Sequence, residues 1–318
     1  MRRNADLPAE LGLTFAVAEA HSRGVGEGRL RGADLERPFH GVRRAREQPS
    51  TYDDPFDRHR EEVVALAHAY SHRMRDVEFF SHETAALLWG APLPLSPDRG
   101  IHVSVPDPAA APRSKGVRGH RLRRGQASVV LYDGVHVASP ASTWAMLGHL
   151  EVFDLVALGD FFVREWRAEG YFRVNAGRKP LATPNQLGAA LDAGRRAGAA
   201  RLRQALPLIR QDSWSRAESL TRCHLVTAGL PEPVLNRDYF DAYGEHLGCI
   251  DLSYPTYRVA IEYQGRQHAN RYARDIERIE RLRVEGWIVI QVTATLLETP
   301  AELVRRVRAA LHSRGWRG

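Results

Sequence analysis

Two apolar runs meet at Tyr254-Pro255-Thr256, and each carries an acid at a fixed place: Asp251 before the turn and Glu262 after it. Side chains of a β-strand alternate between faces with period 2. Val259, Ile261 and Tyr263 therefore share one face of the second run, and Glu262 and Gln264 share the other. The turn folds the first run back along the second, which sets Asp251 beside Glu262. Two carboxylates side by side make a site for a divalent cation with oxygen ligands. Taken alone, the two acids also read as exposed strand residues. Gln264-Gly265, Glu218, His268 and the order of the elements around them favour the cation site.

The 318 residues suffice for two or three domains. Hydrophobic content of 43% and charged content of 26% are those of an ordinary globular protein. A net charge of +7, carried mostly by arginine, favours a polyanionic partner, with nucleic acid the first candidate. A genome that encodes Arg in place of Lys would give the same balance. Cys223 and Cys249 lack the spacing of a zinc site or a disulfide framework and read as small apolar fillers. The N-terminal residues lack the apolar core of a signal peptide, and no apolar run approaches the ~18 residues of a membrane span. The expectation is a cytoplasmic protein without a membrane partner.

Along the front of the chain, Thr14 is placed to N-cap a helix over residues 15–22. A tight turn at 24–26, a short helix over 27–31 with Arg29 and Arg31, and a basic wing come next. Helix, turn, helix and wing is the winged-helix order, in which the second helix can enter a major groove. A structural helical pair is the plainer alternative. Residues 46–58 read as a polar linker, 60–70 and 81–89 as helices with Ser81 as an N-cap, and 101–105 as a strand. Residues 106–124, with six Arg and Lys residues and His120 from Arg113 onward, read as a solvated loop or a nucleic-acid contact. Asp133-Gly134 signals a hairpin, and residues 142–147 and 152–162 read as helices, with Asp160 a structural acid. Residues 187–210 read as helical. The domain division this suggests is a winged-helix-like domain at 1–48, a middle α+β domain at 56–175, a helical linker at 176–204 and a C-terminal domain at 205–318.

In that last domain the order is helix, three strands, helix, strand, helix. The second helix carries a stripe of Tyr272, Ile276, Ile279 and Leu282. With Asp251 followed by Glu262-x-Gln264, this order resembles the PD-(D/E)XK nuclease superfamily. Glu218-Ser, Gly229-Leu-Pro-Glu-Pro, Asp251-Leu-Ser-Tyr-Pro, Glu262-Tyr-Gln-Gly-Arg-Gln-His268, Asp275-Ile-Glu-Arg278 and Glu285-Gly-Trp287 look like the DUF559 group, related to very-short-patch-repair endonucleases. The front of the chain is similar to proteins with an AbiEi antitoxin-like winged helix. The words that match are Thr14-Phe-Ala-Val-Ala-Glu-Ala, Pro38-Phe-His-Gly-Val, Phe80-Ser-His-Glu-Thr-Ala-Ala-Leu-Leu-Trp-Gly and Val137-Ala-Ser-Pro-Ala.

The resemblance implies an α/β (α+β) multidomain chain whose C-terminal mixed sheet is flanked by helices, and a Mg2+- or Mn2+-dependent endonuclease acting on DNA. Asp251, Glu262 and the Tyr263 carbonyl would hold the ion, and Glu218 could reach it through water. Gln264 stands where the superfamily often has Lys, and it would orient a water without supplying charge. His268 is a general acid/base or a phosphate contact, with a structural role as the alternative. Arg271, Arg274 and Arg278 are candidates for phosphate contacts, against the alternative that arginines of this helix pair with Asp275, Glu277 and Glu280; Asp275 and Arg278 read first as structural partners, with a direct role as the alternative. Two further readings stay open: a non-catalytic DNA-binding regulator of antitoxin type with a degenerate nuclease fold, and a nuclease acting on RNA.

Overall fold

A computed structural model describes residues 6–46, 52–96, 100–166, 175–265 and 269–318, and for 269–275 the backbone alone. The chain is mixed α/β and forms two compact units. One comprises residues 1–149 and 186–199, the other 150–185 and 200–318. This differs from the division expected from sequence. Residues 150–175 group with the C-terminal part, and residues 1–48 share a unit with most of the expected middle domain. Among the described residues, no helix is long and apolar enough to cross a membrane.

The first unit opens with β1 (Thr14–Ala16), α1 (Val17–Ser22), α2 (Glu27–Leu30), β2 (Leu35–Glu36) and β3 (Val42–Ala45). The three strands form an antiparallel sheet in the order β1-β3-β2. Phe15, Ala20, Val25, Leu30 and Leu35 bury together over it. Thr14 does not cap a helix. It lies in β1, because pairing with Arg44 extends the backbone there, and Ala16 takes the cap position.

The helix α3 (Pro55–Ser71) begins inside the expected linker, because the Asp54 carboxylate accepts from the Phe56 and Asp57 amides and Pro55 suits the first helical position. Then come β4 (Phe79–Phe80), α4 (His82–Leu88), β5 (Ile101–Pro106), β6 (Val117–Leu122), β7 (Val129–Tyr132), β8 (Val135–Ala138) and α5 (Pro140–Met146). The five strands form a mixed sheet in the order β6-β5-β4-β8-β7. The basic stretch read as a loop contains β6, which pairs in parallel with β5. Its mainly exposed, Arg-rich pattern hides a strand whose backbone bonds do the ordering. The β7–β8 turn has positive φ at both Asp133 and Gly134, as a two-residue hairpin requires.

The second unit holds α6 (Val152–Val163), and α7 (Pro184–Asp192) and α8 (Ala199–Ala205) lie where the chain passes between units. Next are α9 (Arg216–Thr227), β9 (Val234–Phe240), β10 (His246–Tyr254), β11 (Val259–Tyr263), α10 (Ala269–Val284), β12 (Ile288–Val292), α11 (Ala294–Leu297) and α12 (Pro300–Ser313). The sheet order is β12-β11-β10-β9, antiparallel except for the parallel pair β11–β12. Val259 and Ile261 face one core with Leu225, Leu303, Val307 and Leu311, and Ala260 faces another with Leu282 and Trp287. Full burial of each Leu or Val contributes about 1.5–3 kcal/mol, so helices cover both faces of this sheet. Of the expected α10 stripe, Ile279 and Leu282 are buried and Ile276 is exposed. Tyr272 lies outside the described side chains.

Candidate functional site

The expected strand pairing places the first two acids. β10 runs antiparallel to β11, with Leu252 opposite Ile261 and Ser253 opposite Ala260. One step further in the same register, Asp251 stands opposite Glu262. Side chains directly opposite on one face have Cβ atoms about 4.5–5.5 Å apart. The Tyr263 amide donates to Asp251 Oδ2 at 2.8 Å, which fixes one carboxylate oxygen against the neighbouring strand.

Glu218 enters from α9. Ser215 caps that helix by accepting from the Glu218 amide at 3.2 Å. The Glu218 carboxylate turns back to accept from the Trp214 amide at 2.9 Å and from Asn236 Nδ2 at 2.6 Å. This is the reciprocal geometry of a capping box, with the acid reaching one residue further back. Asn236 sits on β9 with φ 46° and also donates to the Asp212 carbonyl. The Arg164 guanidinium donates to the Trp214 carbonyl at 2.7 Å, stacks over the Trp166 ring and places its charge near Glu218.

Asp251 feels the charge of the other two acids. Burial, then the charges of Glu262 and Glu218, push the Asp251 carboxyl well above the usual carboxylate range. Glu218 is raised as well, chiefly by burial. The balancing charge comes from α10. Arg278 donates from Nη1 and Nη2 to the two oxygens of Glu262 at 2.8 and 3.0 Å, and from Nη1 to the Cys249 carbonyl. Room for it exists because residue 248 is glycine. A Cβ there would lie 2.7 Å from Arg278 Cδ, and its φ of 143° disfavours other residues.

The sequence-nominated residues thus divide. Asp251, Glu262 and Glu218 come together. Arg278 is the partner of Glu262, which agrees with its structural reading. Gln264 comes directly after β11, half-buried, and its backbone N–H donates to the Val292 carbonyl. His268 lies outside the described residues, and the side chains of Arg271 and Arg274 do too. In the first unit, Arg29 is 14% exposed on its side chain and holds Asp34 with two hydrogen bonds, at 3.1 and 2.6 Å. That pairing ties it to its own fold. Arg31 stays 71% exposed, 3.9 Å from Glu27.

A second cluster, in the first unit, was not nominated from sequence. His82 opens α4, His102 lies on β5 and His120 on β6. One ring nitrogen from each falls within 4.8 Å of the other two. In the sequence His82 stands out only singly, beside Ser81, Thr84 and Trp89, and the pairing of β5 with β6 is what delivers His120. His82 is pushed down to about 2, mainly by burial and then by the neighbouring histidines, so its ring is neutral. The chain matches no family model, and no curated protein matches it.

Proposed function

We propose that the second unit is a divalent-metal-dependent endonuclease that hydrolyses DNA in the cytoplasm, and that the first unit contributes DNA binding or regulation through a winged-helix-like front. The observation that carries this reading is the register that stands Asp251 opposite Glu262, with the charge of Glu218 acting on Asp251. The helix and strand order around them, which resembles the PD-(D/E)XK arrangement of the DUF559 group, supports it. The donor set suits a hard cation: carboxylate oxygens of Asp251 and Glu262 and the Tyr263 carbonyl would hold Mg2+ or Mn2+. A bound ion of this kind polarises phosphate oxygens and lowers the pKa of a water. The chain's own residues do the rest. The Tyr263 amide holds Asp251 in place, Gln264 offers an amide to orient a water, and Arg278 supplies a cation beside the acids.

One observation favours a second reading. Arg278 already engages both oxygens of the buried Glu262, as a guanidinium would if it had replaced the ion in a degenerate site. The protein would then be a DNA-binding regulator of antitoxin type. Incubation of the full chain with supercoiled plasmid and Mg2+ or Mn2+ separates the two. The nuclease reading expects nicking that stops with chelator and with Glu262→Gln. Equal cutting by wild type and Glu262→Gln removes the assignment of the site. Tight DNA binding without any cutting favours the regulator.

A further inference from the structure

The geometry points to a transition-metal site in the first unit, in which His82, His102 and His120 supply three imidazole nitrogens to a Zn2+ ion. This site is separate from the carboxylates of the second unit and uses different ligand chemistry. Imidazole suits zinc and its first-row neighbours, whereas Mg2+ prefers oxygen.

The three rings are brought together by backbone that leaves little freedom. The Ser81 amide donates to the His102 carbonyl, and the His102 amide donates to Thr84 Oγ1 at 2.8 Å, which ties the start of α4 to β5. Ser104 Oγ donates to Ser81 Oγ at 2.7 Å beneath them. In the parallel pairing of β5 and β6, His102 lies opposite Arg118 and Ser104 opposite His120. His102 and His120 are therefore two positions apart on one face. His82 completes the group, with its ring stacked on that of His120 at a centroid distance of 4.0 Å. It does so from a left-handed backbone, φ 50°, which is uncommon for a non-glycine residue and clusters at functional sites.

One nitrogen pair already stands near the spacing of a three-histidine site, and all three lie within 4.8 Å. His102 Nδ1 lies 3.0 Å from His120 Nε2. A tetrahedral Zn2+ with bonds of about 2.0–2.1 Å would need these two nitrogens only slightly further apart, at about 3.3 Å. The other nitrogen of His102, Nε2, faces Glu83 Oε2 at 3.3 Å. That carboxylate oxygen is buried without a hydrogen bond in the present arrangement. A carboxylate on the far nitrogen of a ligating histidine is the usual outer-shell partner in zinc sites, where it fixes the tautomer. Glu83 Oε1 also holds His149 Nε2 at 3.0 Å, so its position is set from two sides. His82 and His120 are each partly exposed, and His102 is buried between α4 and β6.

The test uses the full chain without a histidine tag, stripped of metal and titrated with Co2+ as a visible probe and Zn2+ as competitor. One Co2+ per chain with the absorption of a tetrahedral nitrogen-ligated ion, displaced by Zn2+, is expected. His82→Ala and His120→Ala should abolish that signal, and Glu83→Gln should weaken Co2+ binding about 10–100-fold. The double variant Asp251→Asn, Glu262→Gln should retain it. No such signal in the wild type, or the same signal in the histidine variants, overturns the proposal. If those variants do not fold, electron paramagnetic resonance of Cu2+ bound to the wild type decides. Nitrogen couplings from imidazoles support the site, and their absence overturns it.

Discussion

Arg278 lays both terminal nitrogens of its guanidinium on Glu262, at 2.8 and 3.0 Å, across 16 residues of sequence, and the acid it neutralises is 2% exposed. The acid that sequence pattern nominates as a metal ligand is thus already satisfied by a cation from the chain itself. A buried charge deprived of its partner is expensive.

Arg278→Ala should therefore destabilise the second unit by about 3–5 kcal/mol, because Glu262 is left buried and uncompensated. Excess Mn2+ should recover a large part of that loss if the acids can hold an ion, since a ligand that binds only the folded state raises its stability. Denaturant melts of the variant with and without Mn2+ read this directly. An unchanged midpoint with Mn2+ means that Glu262 belongs to a structural ion pair.

The raised Asp251 carboxyl sets a pH dependence for any ion bound there. Burial and the charges of Glu262 and Glu218 favour its protonated form, and a proton on Asp251 competes with a cation. Mn2+ affinity at this site should rise as pH increases through the Asp251 titration, and Asp251→Asn should lower the affinity and flatten its pH profile. Calorimetric titration at a series of pH values measures both. Affinity independent of pH in the wild type would exclude Asp251 as a ligand.

Asp160 gives a stability prediction away from the candidate site. It is buried in α6, accepts from the Arg210 amide at 2.6 Å and from Ser219 Oγ at 2.7 Å, and is pushed up to about 7, mainly by burial. Its unfolded value is near that of free aspartate, about 3.9. Between those values the folded state binds a proton that the unfolded state does not. Its contribution to stability is therefore full at acid pH and falls as pH rises toward about 7. Asp160→Asn can still pair with Ser219 and should flatten this part of the stability profile. Unfolding midpoints of both proteins, measured at steps of about one unit from roughly pH 4 to roughly pH 8, provide the comparison. Parallel curves would show that another group sets the slope.

Much of the second unit is legible in the sequence because its information is local. Period-2 alternation, the proline turn at Tyr254-Pro255-Thr256 and the apolar pattern of the helix that carries Glu218 are each written within a few residues. They place Asp251 opposite Glu262 and Glu218 in the first turn of α9. The same local rules fail where pairing overrides them, as at Thr14, drawn into β1, and in the basic stretch that contains β6.

The sequence by itself determined which acids share a face and in what order the elements come, since backbone period and turn chemistry act over short stretches. Only the tertiary structure decided what those acids touch. The Arg278 clamp on Glu262 depends on how α10 crosses the sheet, and the histidine group depends on a parallel pairing of β5 with β6 that no local signal specifies. His82, His102 and His120 are 18 to 20 residues apart along the chain between neighbours, and closure of those loops is driven by burial of the apolar strands around them.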